Sequence, residues 1–331
     1  MKLKKRKNLW LILGVTCLYL VLFATGKMAA GPSGYTGLGD STDLSSDDQT
    51  IVFPYYQNGD ASLYTANLDD GEAKLFVKPE EGFSYIRPIF APHSHSLAFF
   101  KKWEEEDTTY QQLMYKGEGK VRSLTDKKEV VLDAAFAPDG ESMYYISDKN
   151  RNQFGFYRIN LKTGKTTTLD PREEFGFTSL HVVNKHKIFY HASSEPFKYD
   201  DQLKFVNLET DEQTPVNLDS SYESETDHGP SLAGATPSPN GEKIVFSDVA
   251  STTKNGTYQY DLFMMDSDGQ NIEQLTNFQK YVSSPVFFHN SARLIITLDK
   301  NFGGREPDRE YWIIDQQKKD RKEIILHMPE S

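Results

Sequence analysis

Three histidines, His181, His186 and His191, stand five residues apart and invite a metal-site reading. The spacing argues against one. On a strand a step of five reverses the face, and His186 falls where a turn is expected, so the three do not converge. Asp266-Ser267-Asp268-Gly269 opens like a calcium loop, but the twelfth position, which should hold a bidentate acid, is Asn277. Glu104-Glu105-Glu106-Asp107 could gather cations or a basic peptide, and reads as a solvated loop tip. His93 and His95 occupy a turn. No Gly-Xaa-Ser-Xaa-Gly elbow is present. No catalytic residue, metal ligand or cofactor-binding residue is assigned. Calcium at Asp266–Gly269 is the one cofactor these residue types leave open.

The elements that carry these residues repeat. Pro239-Asn240-Gly241 is a turn signal, since Pro fixes φ and Asn-Gly accepts positive φ. The short apolar run Ile244-Val245-Phe246 follows it as a strand, then a polar loop, then Tyr260 to Met265 as a second strand. Asp268-Gly269 makes a tight hairpin into a last strand near Ile272 to Leu275. With a strand before the proline, this is a unit of four antiparallel strands. Ala137-Pro138-Asp139-Gly140 before Ser142 to Ile146, and Ala91-Pro92-His93-Ser94 before Leu97 to Phe100, are copies. Worn copies lie at Val183 to His186 before Ile188-Phe189-Tyr190, at His289-Asn290-Ser291 before Leu294-Ile295-Ile296, and at Ile51-Val52-Phe53. The prolines at 92 and 138 are 46 residues apart. Units of four strands at that period cannot bury both faces alone and must stack on one another. Six of them predict an all-β, six-bladed β-propeller, with repeats at 47–83, 84–129, 130–176, 177–231, 232–280 and 281–327.

The order of Pro-Asx-Gly turn, apolar strand, polar loop, apolar strand ending in Met-Asp, then Asp-Gly and Gln-Leu-Thr resembles the repeat of TolB-like β-propellers. The fifth copy carries it in Pro239, Asn240, Gly241, Met265, Asp266, Asp268, Gly269, Gln274, Leu275 and Thr276. The third keeps Pro138, Asp139 and Gly140, and the second keeps Pro92 and Ser123-Leu124-Thr125. The resemblance covers roughly residues 47 to 327. It implies the architecture and leaves the function open, because this scaffold carries binding modules, peptidase gating domains and lyases.

In a blade the strands run outward from the channel as A, B, C and D. The A–B and C–D turns lie on one face; the B–C loops and D–A crossings lie on the other. The A–B and C–D turns read as short. The B–C loops read as long: 101–109, 148–155, 193–201, 249–257 and 300–309, together with the D–A crossing 219–231. Trp103, Phe154, Phe197, Tyr222 and Phe302 are placed there as a candidate partner-binding face. Arg87, Asp133, His181 and Ser284, on A strands, are candidates to line the channel.

At the N-terminus residues 1–7 carry five positive charges. Residues 8–25 are uncharged and apolar, close to the shortest length that spans a bilayer. The charges place the N-terminus in the cytoplasm and the propeller outside. Cleavage after Ala24-Thr25-Gly26, giving a secreted protein, is the alternative. Cys17, the sole cysteine, lies in the apolar run, so the propeller has no disulfide. Residues 26–46 are rich in Gly, Ser, Asp and Thr and read as a flexible linker, whose last part could add a strand. Six of the 37 basic residues and none of the 48 acidic ones lie at or before Lys27, so the remainder has a net charge of −17. That charge disfavours nucleic acid.

The expectation is a single-pass bacterial membrane protein with an extracytoplasmic propeller. It would bind a protein or cell-envelope polymer without catalysis. The alternative is a lyase or hydrolase acting on a polysaccharide in the channel.

Overall fold

The computed structural model describes residues 34–106, 108–148, 154–170, 175–193, 202–226, 229–290, 292–317 and 320–329. The basic tail and the apolar run 8–25 lie outside them. Among the described residues there is no helix; their regular structure is all β. Among the described residues the strands form six antiparallel meanders in sequence order. The second is Ser84–Phe90, Leu97–Glu105, Thr108–Lys116 and Arg122–Ser123; the third is Val130–Phe136, Ser142–Asp148, Phe154–Asn160 and Thr166–Asp170. The fourth is Phe175–Asn184, Lys187–Ser193, Gln202–Asn207 and Gln213–Pro215. The fifth, Ala233–Pro237, Lys243–Thr252, Tyr258–Asp266 and Glu273–Gln274, is joined by one parallel pairing, Tyr260 with Tyr281, to the sixth. The sixth is Tyr281–Phe287, Arg293–Asp299, Arg309–Asp315 and Arg321–Glu323.

The first meander contains Thr50–Gln57, Asp60–Asn67 and Ala73–Val77. Its inner strand comes from the stretch expected as linker. Gly37–Leu38 pairs with Tyr56 and Tyr55, and Asp43–Leu44 pairs with Val52 and Ile51. The stretch 26–46 is therefore not linker throughout: from Tyr35 onward it is built into the sheet.

The B strands are apolar on both sides because both sides are covered. Leu97 and Phe99 pack toward the first meander, while Ala98 and Phe100, one residue out of phase, pack toward the third. Tyr144 and Ile146 against Met143 and Tyr145 repeat the arrangement, as do Ile244 and Phe246 against Val245. Each cluster thus sits between two successive meanders, and fully burying one such side chain contributes about 1.5–3 kcal/mol. The last cluster joins the sixth meander to the first, through Phe288, Ile295 and Tyr311 against Ile51 and Phe53. The C-terminal residues clasp that seam. His327 N–H donates to Gly71 O at 2.9 Å, and Ala73 N–H donates to His327 O at 3.0 Å. Gly71 has φ +70°, and a Cβ there would stand 2.0 Å from Ile325 O.

The A–B turns follow from their residues. Gly140 and Gly241 sit at φ 69° and 71°. Their N–H groups close back on Ala137 O (2.9 Å) and Ser238 O (2.8 Å), and Asp139 and Asn240 accept from the next N–H but one.

Candidate functional site

The A strands share a device. Their pairing slips between Ile86 and Ile89, Val131 and Asp133, Thr178 and His181, Ala233 and Thr236, and Ser283 and Val286. At four of these bulges the backbone passes through left-handed φ: Arg87 48°, Ser179 55°, Gly234 61° and Ser284 51°. A bulge bends its strand and re-aims a side chain, and here residues at the bulges line one cavity. The strands enclose a cavity of about 1020 Å³. Its lining runs from the bulges to the A–B turns, reaching Pro92, Pro138, Pro239 and His289, and among the described residues includes none of the D–A crossings. The mouth is therefore at the A–B end.

Arg87, Asp133, His181 and Ser284 all line this cavity. The first two are in contact. The Arg87 guanidinium pairs with Asp133, donates to Leu132 O at 2.6 Å and lies over the Phe100 ring at 4.5 Å. Asp133 also accepts from Leu180 N–H at 2.7 Å and Ala134 N–H at 2.9 Å. Both charges are committed to the wall. Burial holds His181 below the usual imidazole range, with Asp133 pulling the other way, and its ring bonds to the Ala235 backbone. His181 is neutral at pH 7. Asp43, in the stretch read as linker, also faces the cavity. Its carboxylate accepts from Phe90 N–H at 2.6 Å, and burial pushes it up to about 6. Around the mouth the turns are stitched together: His93 Nε2 meets Pro138 O at 2.8 Å, and His289 Nδ1 meets Asp48 Oδ1 at 2.7 Å. The remaining walls are mostly apolar, with Ile89, Leu132, Ala135, Val182 and Val286 among them.

The residues placed on the opposite face fare differently. Trp103 is in a strand, not a loop. The ladder of the second meander continues through Trp103 opposite Tyr110 to Glu105 opposite Thr108. Its ring is 7% exposed, stacked on Tyr110 at 5.2 Å and close to Phe83. Tyr222 is structural too. Its hydroxyl donates to Asp248 at 2.8 Å, and its ring meets Phe246 and Phe263 edge-on. Asp248 is fully buried and also accepts from Ser231 N–H at 2.9 Å and Val249 N–H at 2.8 Å, so it straps the crossing 219–231 to the sheet. An acid within the apolar run around Phe246 was the signal for it. Phe302 is 44% exposed and stacked on Tyr281 at 4.0 Å. Phe154 begins a strand, with its side chain outside the described residues; Phe197 lies outside them entirely.

The three histidines are apart, as their spacing requires. His181 is in the cavity, His186 pairs with Glu209 at 2.8 Å, and His191 is buried in the next strand. The Asp266 carboxylate carries hydrogen bonds from Lys243 and Asn271, which hold it below the usual carboxylate range. Among the described residues no three His, Cys, Asp or Glu side chains come together as a metal site would need.

The sequence profile of the TolB β-propeller domain matches residues 40–256, well over half of the chain. The chain belongs to the TolB β-propeller family. No curated protein matches it in sequence. Among solved structures it is similar to TolB from Acinetobacter baumannii, at 14% identity and TM-score 0.57, covering 90% of this chain and 66% of that one. The chain thus spans just under two thirds of that TolB. It is similar to the putative TolB from Agrobacterium tumefaciens (18% identity, TM-score 0.52, 76% and 86% covered). It is also similar to an oligogalacturonate lyase from Vibrio parahaemolyticus (13% identity, TM-score 0.54, 84% and 78% covered). At such identities the likeness is one of fold. A TolB-type propeller supports a binding module in general terms. Its Leu-Thr ending has a structural task here. Thr125 and Thr276 hydroxyls accept from Leu113 and Leu262 N–H at 3.1 and 2.8 Å, while Leu124 and Leu275 N–H donate back to the same strands.

Proposed function

We propose that this chain is a six-bladed TolB-type propeller, tethered by residues 8–25 to the outer side of a bacterial membrane, that binds without catalysis. The ligand is a segment of a protein or envelope polymer entering the central cavity from the A–B end. One observation carries this reading: the cavity is large and mostly apolar, and the ion pair of Arg87 with Asp133 in it is already spent on the wall. Such a floor holds its shape and takes an apolar segment without first breaking a charge pair. Binding of this kind calls for no cofactor. The binding site then lies at the end opposite the long-loop face.

Ala135→Trp, which fills the cavity from an A strand, tests it. Cross-linking in intact membranes should lose its adduct with Ala135→Trp and keep it with Phe302→Ala, both checked for folding by circular dichroism. An adduct that survives Ala135→Trp overturns the cavity as the site. A soluble species beginning near Lys27 in the medium overturns the tether.

A second reading, a lyase or hydrolase acting on a polysaccharide, is favoured by one observation. Asp43, raised to about 6, and neutral His181 share the cavity, and two groups with displaced pKa values can divide acid and base roles. Release of unsaturated or reducing ends from envelope polysaccharide, abolished by His181→Ala, would establish it.

A further inference from the structure

The chain enters the sheet at a fixed place. Tyr35 is 5% exposed; its hydroxyl donates to Leu38 O at 2.9 Å and its carbonyl accepts from Gly59 N–H at 2.9 Å. Asn58-Gly59 is the B–C turn of the first meander, so the entry point is on the B–C face, opposite the cavity mouth. Next to it lies a row of rings. The Arg309 guanidinium stands 6.0 Å from the Tyr35 ring, and the Tyr281 hydroxyl lies within electrostatic reach of Arg309 and Asp40. Phe302 stacks on Tyr281, Tyr260 meets both edge-on at 5.2 and 5.7 Å, and Tyr258 meets Tyr260. Phe302 and Tyr258, at 44% and 43%, are among the few large apolar side chains left this exposed. Lys254, Lys280 and Arg305 are exposed around them.

Only residues 26–34 separate this entry point from the apolar run 8–25. Nine residues span at most about 32 Å even when fully extended. A propeller held so closely by one point on its B–C face keeps that face toward the bilayer. We propose that Tyr258, Tyr260, Tyr281 and Phe302 form a lipid-contact rim that rests in the headgroup region of the membrane to which the chain is tethered. The cavity mouth then points away from the membrane. The inference rests on the tether proposed above.

Tyrosine and phenylalanine suit that layer, because an apolar ring with or without a polar tip is accommodated where hydrocarbon meets water. The charge balance selects the lipid. With a net of −17 beyond Lys27, and Glu104 to Glu106 on the same face, the contact is with zwitterionic headgroups rather than an anionic surface. The contact need not be strong. A short tether makes it intramolecular at an effective concentration of roughly millimolar, so weak insertion of a few rings suffices.

The test uses the full chain, with Cys17→Ser, reconstituted in phosphatidylcholine vesicles. A single cysteine carrying an environment-sensitive dye replaces Lys254, beside the rim, or Lys162, in a C–D turn on the far face. Spin-labelled phosphatidylcholine should quench the Lys254 dye several-fold more than the Lys162 dye. Tyr258→Ser with Phe302→Ser should bring the Lys254 dye down to the Lys162 level while the protein still floats with the vesicles. Equal quenching at the two positions in floating protein overturns the lipid rim and leaves the tether standing. Strong Lys254 quenching that survives the double substitution overturns the role of the rings. Protein that fails to float overturns the tether, and the rim with it.

Discussion

Trp103 and Phe302 are two large aromatic residues at the B–C ends of their meanders on the same face, and their surroundings are opposite. Trp103 lies within a ladder of nine paired residues per strand, sealed between Tyr110 and Phe83. Phe302 lies in a loop that leaves the sheet after Asp299 and returns at Arg309, with one side of its ring on Tyr281 and the other open. The difference lies in what the backbone does between them. In the second meander the hydrogen-bonded ladder continues through lysine and glutamate almost to the turn. In the sixth, two glycines and a proline break it. An aromatic next to a charge run is therefore core when the ladder continues and surface when it stops.

Substitutions can break that contrast. The largest effect is expected at Asp248→Ala, which underlies the same face. It leaves the Tyr222 hydroxyl and the Ser231 N–H without their acceptor inside the protein and should destabilise by about 4 kcal/mol in a urea melt. A loss under about 1 kcal/mol would show the 219–231 crossing is not held by this carboxylate. Trp103→Ala comes next, at about 3 kcal/mol, the usual scale for emptying a buried aromatic site. An unchanged melt would return Trp103 to the surface. The third effect is a pH dependence. Asp43, raised to about 6, favours the folded state most below its unfolded value of about 3.9. That stability is lost as the pH rises through about 6, because the carboxyl must then ionise where water is scarce. The loss is about 3 kcal/mol across that window. Asp43→Asn should flatten the slope between those pH values; an unaltered slope would place its source elsewhere. The smallest is Phe302→Ala, expected to move folding stability by less than about 0.5 kcal/mol.

The turns and the repeat are legible in the sequence because they depend on residues with few alternatives. Gly140 and Gly241 take a conformation that other residues resist, and Thr125 and Thr276 each supply a hydroxyl where a strand end needs an acceptor. Arg87, Asp133, His181 and Ser284 can be placed together because the repeat fixes which strand is innermost. Asp43 cannot. It sits in a two-residue strand amid Ser, Thr and Gly, where no apolar period marks the sheet, and its pairing comes from partners after Thr50. Trp103 is misplaced by its neighbours: polar letters suggest a loop, whereas ladder hydrogen bonds belong to the backbone and ignore side-chain polarity. The face of the cavity mouth escapes the sequence for a related reason. Loop length draws attention to one end, while the bulges that shape the cavity leave only single residues such as Ser284 as their trace.

The clasp of His327 on Gly71 and Ala73 has a bearing on how the protein is made. Asp48 finds His289 across 241 positions of chain, and Gly39 finds Tyr311 across 272. The first meander leaves the ribosome before the sixth, yet one flank of Ile51 and Phe53 has no cover until the sixth has emerged. While the four intervening meanders are being made, the first carries an uncapped apolar flank, and that seam closes only when the sixth arrives.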